Sequence, residues 1–554
     1  MAFLPRMNFM RVAVVSAVLL APYGATVLPS RAQEAAPKPA PEAPAPTAKP
    51  AASPAPADAK PAARPSPTPS VRLLPADSIT DQVLELPGRT LKFKATAGSI
   101  ALTGTDGQIT AELAYISYQR DGADPLTRPV AFVFNGGPGS SSAWTHLIGF
   151  GPWRLPVDAT TLSPSGSSVL VPNAETWLDF TDLVFIDPAG TGYSQIAKAA
   201  APATGGAAPS GDGSSGQGGA RYFYSVDGDA DSVAQMISQW LQKQNRLTSP
   251  KFLVGESYGG IRAPKVLYQL QTTYGVGMSG LVLVSPVMDM GQYRGARHRP
   301  SEFMNSLPTI AAAAREAKGK EFSTRADQSE VEAYTRGEYL ADLMRGPRDT
   351  AAMDRIVKRV AIYAGLPEPV VRQYGGRLDE FIYIREANRL TQRQASGYDT
   401  TITGADANPN AYFPRWNDPL SEAMSAPMTS AVLGLYAKLG WKTELPYRLI
   451  AGAALRSWQW GNSNSGTESV SQLEAALALD PKLRVLVTHG ATDLRTPYFG
   501  SVLLLEQLPA YADTPPGRTQ LRLYPGGHMH YSRDSSRAAL RGDVEALVQA
   551  VVGK

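Results

Sequence analysis

Gly255-Glu256-Ser257-Tyr258-Gly259-Gly260 places a serine among glycines, directly after the apolar run Phe252–Val254 and directly before a stretch suited to a helix. A serine held on a sharp strand-to-helix turn has no room for side chains beside it, and the turn lifts its hydroxyl above the sheet. The helix that follows aims its first amides at the same spot. A bare G-x-S-x-G also occurs as a surface turn. The strand before, the helix after and the extra glycine make Ser257 the candidate nucleophile of an acyl-transfer enzyme.

Serine attacks only when a base takes its proton, and the chain has five histidines. In folds that use this turn the order along the chain is serine, acid, histidine. His146 precedes Ser257, His298 sits in the basic stretch Arg294–Arg299, and His489 ends an apolar run just ahead of a candidate acid. His528, in Tyr524-Pro525-Gly526-Gly527-His528, follows the last apolar run and is the expected base, with His530 the alternative. The glycine pair is read as the flexibility that lets the loop swing back over the sheet. Asp493, in Thr488-His489-Gly490-Ala491-Thr492-Asp493, is the expected acid, one strand earlier. Its competing reading is a turn-capping aspartate, and Asp187 and Asp534 fit the order less well. The oxyanion of a tetrahedral intermediate needs backbone donors. The Tyr258 amide is one, and the Gly137 amide, in Asn135-Gly136-Gly137-Pro138-Gly139 after the run Val130–Phe134, is the other. That glycine loop lacks the Gly-Lys-Ser/Thr ending of a phosphate loop.

These residues need a rigid frame. Val130–Phe134, Leu183–Ile186, Phe252–Val254, Leu281–Val284, Val485–Thr488 and Leu521–Tyr524 read as strands of a buried, mostly parallel sheet. Gly228–Gln244 and Ile261–Thr272 read as helices between them. Gln82–Leu86, Thr90–Ala95, Ser99–Thr105 and Ala111–Arg120 read as an antiparallel meander leading into the sheet. The fold class is therefore α/β, with a catalytic domain over 71–290 and 425–554. Residues 291–424 are too many for one crossover and read as an inserted, largely helical cap, with helices expected at Thr309–Lys318, Ser329–Met344 and Ala351–Ala364. Met428–Leu439 and Arg448–Ser457 read as helices returning to the main domain. Tyr412, Phe413 and Trp416 in the cap either line a pocket or fill a core. Residues 199–219, nearly all Ala, Gly, Ser, Pro and Thr, read as a loop without chemistry of its own.

Ahead of the frame, Arg6 and Arg11 precede the apolar run Val12–Ala21, and Ser30-Arg31-Ala32 offers small residues for cleavage. Residues 1–32 thus read as a signal peptide and the chain as periplasmic or secreted. A membrane anchor is the alternative, with an apolar core short for a bilayer. Residues 33–70, almost all Ala, Pro, Lys, Glu and Ser, read as a disordered tether. The formal charge of +4 rests largely on Arg6, Arg11 and Arg31, so no nucleic-acid partner is expected. With no cysteine at all, disulfides, thiolate catalysis and cysteine-bound metals are excluded.

Taken together, Asn135-Gly136-Gly137-Pro138-Gly139-Ser140-Ser141-Ser142, Asp187-Pro188-Ala189-Gly190-Thr191-Gly192-Tyr193-Ser194, the Ser257 turn and the Asp493 and His528 segments resemble the serine carboxypeptidases, in that family's order. The resemblance implies an α/β-hydrolase fold in a bacterial, exported member, a peptide as substrate and no cofactor. It also implies that Asn135 and Glu256 bind the substrate's terminal carboxylate. Gly149 stands where many members have a second carboxylate-binding glutamate, and Val133 where tryptophan is usual. An esterase or acyltransferase with the same triad, or a silent peptide-binding protein, are the other readings.

Overall fold

A computed structural model describes residues 72–158, 162–197, 219–293, 298–411, 418–461 and 466–553. The expected signal segment, the tether, nearly all of the 199–219 loop, and Tyr412, Phe413 and Trp416 lie outside them. No helix among the described residues is long and apolar enough to cross a membrane.

The strands are β1 (Ser78–Leu86), β2 (Arg89–Thr103), β3 (Ile109–Arg120), β4 (Val130–Phe134), β5 (Asp182–Ile186), β6 (Lys251–Glu256), β7 (Gly280–Val284), β8 (Arg484–Gly490) and β9 (Thr519–Tyr524). They form the path β1-β2-β3-β5-β4-β6-β7-β8-β9 of a ten-stranded sheet, the remaining strand being the short Gln195–Ile196 beside β3. Pairings up to β3–β5 are antiparallel and those from β5–β4 to β8–β9 parallel. From β2 onward this is the strand order of the α/β-hydrolase fold. The chain turns left from β4 to β5 and right from β6 to β7, so the order reverses between β4 and β6. Ligands of open α/β sheets bind at such a reversal, beyond the carboxyl ends of the strands. The Asn135 loop and the Ser257 turn both leave from there.

Period-two alternation explains why the middle strands are apolar throughout. Phe132, Leu253, Leu281 and Val485 face one layer, packed by Trp240 and Met236 of α1 (Val226–Lys243) and Leu267 of α2 (Gly259–Thr272). The α1 helix starts at Ser225, whose hydroxyl accepts the Gly228 amide at 3.1 Å, with Asp227 and Asp229 in its first turn. Between β7 and β8, α3 (Pro300–Glu316) and α4 (Thr350–Ala364) build a separate core from Phe303, Leu307, Ile310, Val357 and Val360. Helices α5 (Ser421–Lys438) and α6 (Asp534–Val552) cover the other sheet face, where Met424, Met428, Leu540 and Val544 meet Val133, Val254 and Val282.

Four local readings of the sequence differ from the structure, the first being Arg448–Ser457, which is helical only over Gly452–Ser457 because Arg448 and Ile450 are bridged to Gly192 and Ser140. The segments Thr90–Ala95 and Ser99–Thr105 are one strand, β2, because Gly98 makes no turn; it leaves space for the Asp77 carboxylate, which a Cβ there would strike. Ser329–Met344 is not one α-helix but is interrupted by a π-turn at Thr335–Tyr339. The helix expected from Thr309 starts at Pro300 instead, since proline suits a first helical position.

Leu494, next to the expected acid, is buried in the core of the helices between β7 and β8 rather than in that of the sheet. Leu494→Ala is expected to cost about 2–5 kcal/mol, the usual range for a buried leucine, measured by urea unfolding.

Candidate active site

Ser257 adopts φ +60, a left-handed conformation rare for a residue with a side chain. Its amide donates to the Val284 carbonyl at 3.0 Å, and its own carbonyl accepts from Gly260 at 2.8 Å and Val287 at 3.0 Å. Ends of β6, β7 and α2 thus hold the strained turn. The Asn135 loop lies against it. A Cβ on Gly136 would lie 2.6 Å from the Glu256 carbonyl oxygen and 2.9 Å from the Tyr258 Cα, and would collide with the Tyr258 amide. Among the described residues neither the Gly137 nor the Tyr258 amide donates a hydrogen bond, which leaves both available to an oxyanion.

His528 Nδ1 lies 2.9 Å from Asp493 Oδ2. The Asp493 carboxylate also accepts the Thr496 amide at 3.0 Å and the Thr496 hydroxyl at 2.7 Å. The His528 amide donates to the Tyr398 carbonyl, and its carbonyl accepts the Ser285 hydroxyl at 2.7 Å. The ring's other nitrogen, Nε2, stands 3.5 Å from Glu256 Oε1. No hydrogen bond joins it to the Ser257 hydroxyl among the described residues. Asn135 Nδ2 donates to Glu256 Oε2 at 2.9 Å, while Asn135 Oδ1 accepts the Thr145 amide at 3.0 Å and hydroxyl at 2.9 Å. Asn135, Gly137, Glu256, Ser257 and His528 line one cleft of about 490 Å³, with Tyr398, Trp144 and Met529 among its walls.

Burial opposes charge on all three ionisable groups, and their mutual attraction decides the outcome. For His528 burial acts downward, but the Asp493 charge and hydrogen bond, with Glu256, leave it raised. For Asp493 burial acts upward and the histidine and Thr496 bring it below the ordinary value. Glu256 is raised by burial, against the opposing pull of His528 and Asn135.

The other histidines do different things. Burial pushes His146 down to about 3, stacked on Phe185 with Nε2 2.8 Å from the Tyr118 hydroxyl. His530 is likewise pushed down to about 3 and lies on Tyr524, away from any carboxylate partner among the described residues. His489, at about 4, meets the Ser501 hydroxyl at 2.8 Å. His298 is exposed. The Gly526-Gly527 pair does something other than supply flexibility. A Cβ on Gly527 would collide with the Tyr398 carbonyl, and Gly526 has φ +110. The loop is close-packed.

Residues 87–324 match the family model described as serine carboxypeptidase. Over these residues the chain is similar to the serine carboxypeptidases. The pheromone-processing carboxypeptidase KEX1 of Yarrowia lipolytica is 30% identical over 165 residues, covering 29% of this chain and 22% of that one. The serine carboxypeptidase-like 16 of Arabidopsis thaliana is 26% identical over 216 residues, 37% and 43% of the two chains. This chain therefore spans less than half the length of these curated relatives. A crystal structure of the prohormone-processing carboxypeptidase KEX1(delta)p of Saccharomyces cerevisiae overlays with a TM-score of 0.48 at 15% identity, over 82% of this chain and 91% of that one. The serine carboxypeptidase match includes the Asn135 loop and the Ser257 turn but ends before Asp493 and His528.

Several residues of the site escape motif reading. Thr496 braces both Asp493 and His528, and its spacing of three from the aspartate is the one sequence hint. Arg262 and Asp229 form a buried pair at 2.7 Å, and Arg262 also donates to the Asn135 carbonyl. Tyr398 arrives from the insertion. Its ring meets that of His528 at 5.4 Å, and no sequence signal marks it.

Hydrolysis of a neutral ester at Ser257 needs His528 unprotonated. Because His528 is raised, kcat/KM should fall as pH drops through a value above the ordinary ~6.5. Asp493→Asn should cut kcat by about 10⁴ and move that limb downward, since the raising charge is gone. Ester hydrolysis followed from mildly acidic to mildly alkaline pH checks both.

Proposed function

We propose that this protein is a serine-type carboxypeptidase that releases C-terminal residues from peptides through a Ser257 acyl-enzyme. The observation that carries this reading is that the Asn135–Glu256 pair shares one cleft with Ser257 and with His528, which Asp493 meets from behind.

The Ser257 hydroxyl attacks the scissile carbonyl and gives its proton to His528 Nε2. A rotation of the imidazole about its held Nδ1 brings Nε2 from Glu256 toward the serine. Asp493, kept ionised, fixes the tautomer and stabilises the imidazolium. The amides of Gly137 and Tyr258 receive the oxyanion, where a fixed donor needs no reorganisation as charge develops. The imidazolium then protonates the leaving amine, and water repeats the sequence on the acyl-enzyme. Asn135 and protonated Glu256 bind the terminal carboxylate and set the reading apart from general ester hydrolysis. Glu256 can donate only with its proton on, and burial favours that form.

The arginine-flanked apolar run at the N-terminus supports an exported protein, periplasmic or secreted. Residues 291–424 act on this reading as a cap over the cleft, with a peptide as the substrate.

Ser257→Ala should lower turnover to below about one part in a thousand while peptide binding persists, because pocket and oxyanion donors remain. Measured turnover above that level would remove Ser257 from the nucleophile's role. A blocked dipeptide with a free carboxylate should be hydrolysed much faster than its C-terminal amide at mildly acidic pH. The advantage should shrink as pH rises and Glu256 ionises against the substrate's charge. Equal kcat/KM for acid and amide across the range would favour a general hydrolase.

A further inference from the structure

The cleft that holds Ser257 has a neighbour across one extended segment, Arg448–Ala451. That segment lies on the loop that carries Gly137. The Ser141 amide donates to the Leu449 carbonyl at 3.0 Å, and the Ala451 amide donates to the Gly139 carbonyl at 2.7 Å. Arg448 exchanges both backbone hydrogen bonds with Gly192, at 2.8 and 3.0 Å. Alternate residues of an extended chain point to opposite sides, and burial follows that rule. Leu449 and Ala451 are buried, while Ile450 is 47% exposed and Arg448 half-buried. Ile450 lines both the cleft and a second cavity of about 600 Å³, whose walls also include Arg448 and Arg456. Arg456 belongs to the short helix Gly452–Ser457 and lies back over its start, where a Cβ on Gly452 would stand 3.1 Å from the Arg456 Nη1.

The two spaces differ in charge. Among the described residues the cleft is lined by Glu256 and Glu422 and by no lysine or arginine, whereas the second cavity is lined by two arginines and no carboxylate. Neither guanidinium makes an ion pair or a side-chain hydrogen bond among the described residues. A guanidinium presents a planar fork of donors that matches a carboxylate, often through two parallel bonds. An anionic group entering this cavity would meet both.

We propose that the second cavity is a subsite for an acidic side chain of the peptide substrate, bound by Arg448 and Arg456 on the acyl side of the scissile bond. The proposal rests on the carboxypeptidase reading. On that reading the leaving side is a single residue whose carboxylate ends at Asn135 and Glu256, so a group reaching past Ile450 belongs to the acyl side. It lies outward of the residue next to the scissile bond. That inner residue stays in the cleft with Glu422, where a second negative charge gains nothing. Charge on the peptide is therefore read by position.

The test uses N-blocked tetrapeptides with a common C-terminal residue, carrying glutamate or its neutral isostere glutamine at each acyl-side position in turn. At one of the outer positions KM should be about tenfold lower for glutamate than for glutamine, and at the inner position it should not be lower. The difference should lie in KM with kcat unchanged, because the contact is the same before and during reaction. Raising the salt concentration should shrink it. Arg448→Gln combined with Arg456→Gln should erase the glutamate advantage while the glutamine peptides keep their KM. If a melting curve shows that the double variant is destabilised, Arg456→Gln alone, at an exposed position, should still reduce the advantage. Equal KM for glutamate and glutamine at every outer position in the wild type would overturn the proposal, as would an advantage that survives both variants. A wild type that hydrolyses the blocked dipeptide and its amide alike overturns the carboxypeptidase reading instead, and that failure is recognised without the tetrapeptides or any variant.

Discussion

The constraint on which this site depends is the close approach of two backbones, the loop after β4 and the turn after β6. Their separation is set by Gly136, where any side chain would strike the Tyr258 amide. That contact brings the Asn135 loop against the Ser257 turn and sets the Asn135 and Glu256 side chains side by side. Arg262 holds the arrangement from beneath, bonded to the Asn135 carbonyl and paired with Asp229, with Phe134 and Tyr258 at 5.4 and 5.2 Å from its guanidinium. A buried ion pair contributes little net stability, but removing one partner is costly. Its value here is placement. The guanidinium fixes where the loop's carbonyl points, and hence how the next amides lie.

A second consequence of that approach is electrostatic. Glu256 and His528 are both buried and stand 3.5 Å apart, so they titrate as a pair. Two arrangements hold the same number of protons: neutral histidine beside a protonated glutamate, or imidazolium beside a carboxylate. Only the first suits the proposed reaction, because it leaves His528 a base and Glu256 a donor. A substrate carboxylate bound next to Glu256 disfavours its ionised form. Binding of that substrate thus selects the productive arrangement, and Asp493 retains its charge in either.

Legibility in the sequence followed the range of the physics. The sheet was readable because strands buried on both faces need continuous β-branched and aromatic runs, and the Ser257 turn because a left-handed serine flanked by close-packed backbone demands glycines. The chain order placed Asp493 and His528 as the histidine and carboxylate that meet, with His530 two residues away held neutral against Tyr524. Contacts made across long separations left no local mark. Arg262 and Asp229, Tyr398 against His528, and Tyr531 against Gly149 each depend on a partner that no period or motif anticipates. Thr90–Ala95 and Ser99–Thr105 read apart in the sequence although Gly98 lies inside one strand, where it admits the Asp77 side chain.

The insertion is bound to the very loops that carry the acid and the base. Leu494 anchors the Asp493 loop in the insertion's core. Arg495, one residue on, lies 4.5 Å from the Tyr398 ring and pairs with Glu380 at 3.2 Å. Arg533, beyond His528, holds Asp399 through both oxygens and also reaches Glu316. Tyr398 accepts the His528 amide through its carbonyl while its ring forms a wall of the cleft. A helical insertion joined to the sheet only by its ends could drift without disturbing catalysis. With these attachments, any shift of the segment around Tyr398 moves the imidazole as well as the pocket wall. On the proposed function, shape selection by the insertion and alignment of the proposed triad would be one mechanical event, so substitutions on the insertion face of the cleft should change kcat together with KM.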